Sequence, residues 1–172
     1  MNSNLKPILS AQEIESIVET LAARVNADYA SKDPVLVGVL KGAFVFVADL
    51  VRRLDIPFEV DYIQTASYGK KTGPATEVLI TRDMTTDIKG RDVIIVEGIV
   101  DSGKTVRALL HYFNAKGPLS VRLCSLLVRD TLAADITIDY FGTRIGHGFV
   151  AGYGMDYKEH YRGLSGIYIV TD

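Results

Sequence analysis

The chain has a single cysteine, no block of basic residues and no long apolar run, and each scarcity closes off a class of function. One cysteine makes no intrachain disulfide, which fits a reducing compartment. Cys124 sits inside the largely apolar run Val121–Val128 and reads as a small buried strand residue rather than a catalytic thiol. Formal net charge is −2, so a nucleic-acid surface is not indicated. No segment approaches the ~18 apolar residues that span a bilayer. Residues Met1 to Lys6 lack the apolar region of a secretory signal, so the cytoplasm is the expected location. His111, His147 and His160 are scattered without metal-binding spacing, and no repeat, low-complexity tract or linker divides the chain. What remains is an ordinary globular composition, 48% hydrophobic and 23% charged. Its 172 residues are enough for one well-buried domain, taken as residues 1–172.

Ser10-Ala11-Gln12-Glu13 has the form of a helix capping box. Ile14, Ile17, Val18, Leu21 and Val25 follow at helical spacing, which predicts a helix from Ala11 to about Tyr29. Val35–Leu40 reads as a buried strand, Phe44–Leu54 as a helix and Phe58–Thr65 as an alternating strand. Ser67–Ala75 carries Gly69, Gly73 and Pro74, which is loop chemistry, and Val78–Ile80 resumes a strand. Strands follow at Val93–Glu97, Val121–Val128 and, more weakly, Ile136–Tyr140. A helix is expected over Val106–Asn114, and Phe149–Tyr153 and Ile167–Val170 close the chain. Strands alternating with helices, several apolar throughout, indicate an α/β domain whose mainly parallel sheet is flanked by helices. Ligands collect at the carboxyl ends of such strands.

At one of those ends stands the most informative stretch, Glu97-Gly98-Ile99-Val100-Asp101-Ser102-Gly103-Lys104-Thr105. A strand, a short glycine-bearing loop and a helix start form a phosphate cradle, because loop amides and the helix N-terminus aim at one anion. Two readings compete. Gly98 to Thr105 satisfies the nucleotide-triphosphate pattern G-x-x-x-x-G-K-[ST]. That reading leaves Glu97 and Asp101 unexplained, puts a fixed negative charge inside a polyanion loop, and finds only Asp139 as a second carboxylate for Mg²⁺. The alternative uses every polar residue. Glu97 accepts from ribose hydroxyls, Asp101–Thr105 holds a single phosphate monoester, and Asp101 beside the sugar works as a base.

Val93 to Thr105 resembles the phosphoribosyl-pyrophosphate motif of the type I phosphoribosyltransferase family, in the form of its hypoxanthine-guanine branch. Other segments resemble that branch in the same order along the chain. Leu40-Lys41-Gly42-Ala43-Phe44 is similar to its pyrophosphate loop, and Ser67-Tyr68-Gly69 to the start of its mobile loop. Leu126–Arg129 falls where it reads the base, and Phe149–Tyr157 with Tyr161-Arg162 resembles its C-terminal purine and metal segment. The resemblance implies an α/β fold with a small hood made from the chain ends. It also implies a reaction: a 6-oxopurine displaces pyrophosphate from phosphoribosyl pyrophosphate with Mg²⁺, giving a nucleoside monophosphate. The expected partners are these small molecules, with no nucleic acid and no membrane, and a second copy of the chain in a dimer or tetramer.

The same resemblance implies the roles. Asp101 is the base toward the purine imidazole nitrogen, although as bare sequence it also suits a helix cap. Ser102, Gly103, Lys104 and Thr105 hold the 5′-phosphate, with the Lys104 side chain left open between ligand and solvent. Glu97 contacts ribose hydroxyls or a metal shell. Leu40, Lys41 and Gly42 lie under the pyrophosphate beside a strained Leu40–Lys41 peptide bond, and Arg162 reaches the same group. Asp156 binds Mg²⁺, an ion suited to oxygen donors. Phe149 stacks on the purine, Val150 and Met155 border it, and Arg129 donates to its 6-oxo group. Ser67 and Tyr68 close over the site with the Gly69–Pro74 loop and shield a water-sensitive centre.

Two residues depart from the pattern. The branch has a second acid where this chain has Gly98, so one ribose contact is missing, and Gly98→Asp is expected to lower the Michaelis constant for the donor. The branch has lysine where this chain has Arg129, whose planar fork is not a point charge, so purine preference is open. A nucleotide-sensing regulator of the same fold that binds RNA is a further reading, opposed by the near-neutral charge and by Asp101.

Overall fold

The apolar runs form two sheets. A computed structural model describes residues 4–68 and 77–171. Its elements are β1 (Asn4–Leu9), α1 (Ala11–Asp28), β2 (Val35–Leu40), α2 (Phe44–Val51), β3 (Glu59–Tyr68) and β4 (Glu77–Arg82). β5 (Asp92–Val100), α3 (Lys104–Asn114), β6 (Ser120–Arg129), β7 (Tyr140–Ile145), β8 (Phe149–Ala151) and β9 (Ile167–Thr171) follow. The larger sheet runs β4-β3-β2-β5-β6-β7. All its neighbours pair parallel except β3 and β4 at one edge.

Period-two alternation divides the core. Val35, Val37, Val93, Ile95 and Leu123 face Val106, Leu109 and Phe113 of α3. Leu36, Ile94, Val96 and Leu126 face Ile14, Val18, Leu21, Phe46 and Leu50 of α1 and α2. Cys124 belongs to this second core, where burial pushes its thiol up to about 12, as an inert packing residue requires. The Ser10 capping box is present, with Glu13 accepting the Ser10 amide at 2.7 Å. Asp61 on β3 accepts the amides of Tyr62, Thr85 and Thr86 at 2.7, 2.7 and 2.8 Å, pinning the β4–β5 connection. Burial alone would raise that carboxyl, but the amides outweigh it and bring it to about 2. Among the described residues no helix is long and apolar enough to cross a membrane.

The chain ends meet as expected. β1, β9 and β8 form an antiparallel three-stranded hood, with Asn4 opposite Thr171. Other details differ from the sequence expectation. α2 stops at Val51 rather than Leu54, and α3 starts at Lys104 rather than Val106. β3 runs on through Ser67 and Tyr68, while residues 69–76 of the expected loop lie outside the described residues. Ile136–Asp139 is not a strand; the strand begins at Tyr140. Ile136 instead packs on the start of α3, where a Cβ added to Gly103 would lie 1.9 Å from its Cδ1.

Candidate functional site

β5 continues past Glu97 to Val100, so the loop is only Asp101-Ser102-Gly103. Gly103 is the residue before α3 and has φ 76°, a left-handed conformation that glycine adopts freely. α3 has no side-chain cap and no acid in its first turn, unlike α1. Its leading amides are therefore free for an outside anion. They border a cavity of about 80 Å³ whose lining includes Glu97, Asp101, Ser102, Gly103, Lys104 and Thr105. Lys104 is exposed at the first turn of the helix, next to this cavity.

Asp101 does not cap α3. Its Oδ1 stands 3.5 Å from Nε of Arg129, and its side chain is 69% exposed. Arg129 is buried and fixed, with Nη1 and Nη2 donating to the carbonyls of Gly146 and Gly148. Those bonds leave one N–H on each terminal nitrogen for an outside acceptor. Asp101, Ile99 and Arg129 also line a second cavity of about 230 Å³, with Gly42, Phe149, Val150, Met155 and Asp156. Val150 and Met155 are buried walls, whereas Phe149 is 66% exposed and meets Tyr157 edge-on, ring centroids 5.5 Å apart. An exposed aromatic at the mouth of a flat pocket offers a stacking face. Asp101 and Ile99 are common to the two cavities, so a carboxylate stands between the cavity at the start of α3 and the one bordered by Phe149.

Lys41 and Arg162 approach each other through Glu159, whose Oε2 lies 3.0 Å from Lys41 Nζ and 3.3 Å from Arg162 Nη2. Arg162 also binds Asp156 at 2.8 Å and donates to the Gly154 carbonyl at 2.9 Å. The Leu40–Lys41 peptide bond is cis. Glu97 is half-buried, and desolvation pushes its carboxyl up to about 8 against the opposing bond from the Gly98 amide. Gly98 abuts the Gly42 carbonyl. A Cβ at position 98 would lie 3.1 Å from that oxygen, and one at Gly154 would lie 2.7 Å from it. Three backbone segments thus converge closely on the Gly42 carbonyl.

Ser67 and Tyr68 end β3, and the Gly69–Pro74 loop that would continue them is outside the described residues. Sequence reading missed Glu159 and the carbonyls of Gly146 and Gly148. Glu159 is separated from Lys41 by 118 residues, and no local pattern announces the pair. The triphosphate reading loses its second carboxylate. Asp139 accepts the Leu123 amide at 2.8 Å, level with Ile95 and five residues below the end of β5 at Val100. That is roughly 17 Å down the sheet from the nest. A larger cavity, about 590 Å³, lies between α1, α2 and residues 162–165. Its charged side chains Asp49, Arg52, Arg53 and Glu15 pair as Arg52–Asp49 and Arg53–Glu15, and Arg162, also on its wall, is turned to Asp156 and Glu159. None of the residues Glu97 to Thr105 lines it.

Comparison with known proteins agrees with this fold. A family model described as phosphoribosyl transferase domain matches residues 4–158. The hypoxanthine-guanine phosphoribosyltransferase of Bacillus subtilis is 39% identical over 160 residues, covering 92% of this chain and 89% of that protein. The one from Streptococcus pneumoniae is 38% identical over 172 residues, 99% of this chain and 96% of the relative. Among solved structures, a hypoxanthine-guanine phosphoribosyltransferase from Bacillus anthracis with HEPES in its active site has a TM-score of 0.92 at 35% identity. The match covers 98% of this chain and all 100% of that one. A hypoxanthine phosphoribosyltransferase from Staphylococcus aureus has a TM-score of 0.91 at 34% identity, covering 96% and 91%.

Proposed function

The chain belongs to the phosphoribosyl transferase family, and on that premise we propose that it is a purine salvage enzyme. It transfers the 5-phosphoribosyl group from phosphoribosyl pyrophosphate to hypoxanthine or guanine, giving IMP or GMP and pyrophosphate. The observation that carries the reading is the position of Asp101 between a nest for one phosphate and a slot for one planar base. A phosphoribosyl group fits that spacing, with its 5′-phosphate in the nest and its anomeric carbon near the carboxylate.

The residues then divide the work. Ser102, Gly103, Thr105 and the first amides of α3 hold the 5′-phosphate, with Lys104 at the rim. Asp101 takes the proton that the purine imidazole nitrogen loses as it bonds to carbon 1, with Arg129 as its neighbour at 3.5 Å. The remaining N–H groups of Arg129 serve the 6-oxo group. Phe149 stacks on the purine, and Val150 and Met155 form its edge. Lys41, Gly42 and Arg162 receive the pyrophosphate. Positive charge develops on the ribose, so rate comes from positioning and from excluding water.

Mg²⁺ fits these residues. Among the described residues no group of three acids, histidines or cysteines gathers for a metal. Mg²⁺ is commonly held by one or two carboxylates plus substrate phosphates; Asp156, lining the cavity beside Phe149, and Glu97, lining the one at the start of α3, are the carboxylates that would hold it. A carboxyl whose ionised form is penalised by burial, as at Glu97, gains from a nearby cation. When bound, the ion neutralises the leaving pyrophosphate. A cytoplasmic location and a dimer or tetramer complete the proposal, and both rest on family likeness. The test is an assay of the purified protein with phosphoribosyl pyrophosphate, Mg²⁺ and each of hypoxanthine, guanine, xanthine and adenine, following pyrophosphate release. Release with hypoxanthine or guanine is expected; release with adenine alone, or with none, refutes the reading.

A further inference from the structure

Glu159 makes contacts that the catalytic roles above do not use. One carboxylate oxygen bridges Lys41 Nζ at 3.0 Å and Arg162 Nη2 at 3.3 Å. These are the two cations assigned to pyrophosphate, so the present inference rests on that assignment. The bridge joins segments far apart in sequence, and it puts negative charge where a diphosphate would put its own.

The backbone around Glu159 is built for this contact. Tyr157 and His160 exchange both backbone hydrogen bonds, at 3.1 and 3.0 Å, leaving Lys158 and Glu159 as the two central residues of a tight turn. Their φ angles are 51° and 64°. A two-residue turn with both central φ positive ordinarily takes Asn-Gly or Asp-Gly, because side chains resist that conformation. Here the turn carries a lysine and a glutamate instead, and Asp156 Oδ2 accepts the Glu159 amide at 2.8 Å to hold it. Non-glycine residues persist at positive φ where surrounding contacts over-determine them, and such positions gather at ligand clamps.

We propose that Glu159 is an internal competitor for the diphosphate seat. Its carboxylate occupies Lys41 and Arg162 until the donor's diphosphate displaces it, and it returns as pyrophosphate leaves. The residue thus weakens donor binding and quickens product release, setting affinity at that subsite without touching the reacting atoms. Lys41 and Glu159 side chains are 54% and 68% exposed, so the competition is modest. One exposed ion pair, with Lys41, and one part-buried pair, with Arg162, carry an effect of about two- to fivefold.

The experiment is calorimetric titration of pyrophosphate with Mg²⁺ into the wild-type chain, Glu159→Gln and Glu159→Asn. Asparagine removes the charge and suits the left-handed turn, which secures a folded variant. Both variants are expected to bind pyrophosphate about two- to fivefold more tightly than wild type, with the gap narrowing in high salt. The donor KM and the pyrophosphate inhibition constant fall by the same factor. Equal binding overturns the proposal. Weaker binding, which a metal-ligand role for Glu159 produces, overturns it as well. Failure of the wild type and both variants to bind pyrophosphate or donor at all overturns the transferase reading, and this inference with it.

Discussion

Replacing Gly98 separates two effects that the structure sets against each other. Sequence alone treats this glycine as a missing ribose contact, so aspartate should tighten donor binding. A charge-assisted hydrogen bond contributes roughly 1.5–3 kcal/mol. The backbone supplies the opposing effect. A Cβ at position 98 would lie 3.1 Å from the Gly42 carbonyl oxygen and 3.5 Å from Met155 Cγ. At 3.1 Å the Gly42 carbonyl has to give by a few tenths of an ångström to admit the new carbon. Overpacking of this kind costs about 1–3 kcal/mol, and it falls on the Lys41-Gly42 turn that receives pyrophosphate. Gly98→Ala carries the cost alone and should raise the donor KM by about five- to 150-fold. Gly98→Asp carries cost and gain together, so its donor KM should lie well below that of Gly98→Ala. The Ala/Asp ratio, about ten- to hundredfold, isolates the hydroxyl contact. Steady-state kinetics at saturating hypoxanthine, with thermal melts of each variant, measure both. A wild-type donor KM for Gly98→Ala refutes the crowding argument, and equal values for Ala and Asp refute the ribose role.

Asp61 gives a pH test of the fold. Its carboxyl stands near 3.8 in the unfolded chain and about 2 in the folded one. Its stabilisation is therefore complete above about pH 4 and is lost as pH falls through 2. Asp61→Asn should cost about 2 kcal/mol at pH 7, roughly 4–8 °C in Tm, and the gap from wild type should close near pH 2; a gap independent of pH contradicts the assignment. Phe149→Ala should raise the purine KM by about ten- to hundredfold, the loss of one stacked face. Donor affinity and Tm should stay near wild type, because the ring is 66% exposed; a large fall in Tm would make Phe149 a packing residue instead.

Much of this was legible locally. The capping box at Ser10, the alternating apolar faces of β2 and β5, and the order of acids and glycines from Glu97 to Thr105 are short-range signals. Features set by distant contacts were not legible. β1 pairs with β9 from the other end of the chain, so Asn4–Leu9 carries no strand signal of its own. Ile136 looks like a strand residue because it is apolar, yet it is spent covering Gly103, and the strand starts at Tyr140. Asp101 could be read as a cap or as a base from sequence. The uncapped start of α3 removes the cap reading, and the base role is the proposal that remains. The Arg129 side chain is fixed by carbonyls 17 and 19 residues downstream, a geometry no spacing rule encodes.

Single-turnover chemistry of Asp101→Asn, measured beside donor affinity, addresses the role of that carboxylate most directly. Removing a general base should slow the bond-forming step by about 10²- to 10⁴-fold. Phosphoribosyl pyrophosphate should still bind within a few-fold of wild type, because the nest that grips its phosphate is built from Ser102–Thr105 and the amides of α3. Chemistry left intact, or a loss wholly accounted for by weaker donor binding, would contradict the account.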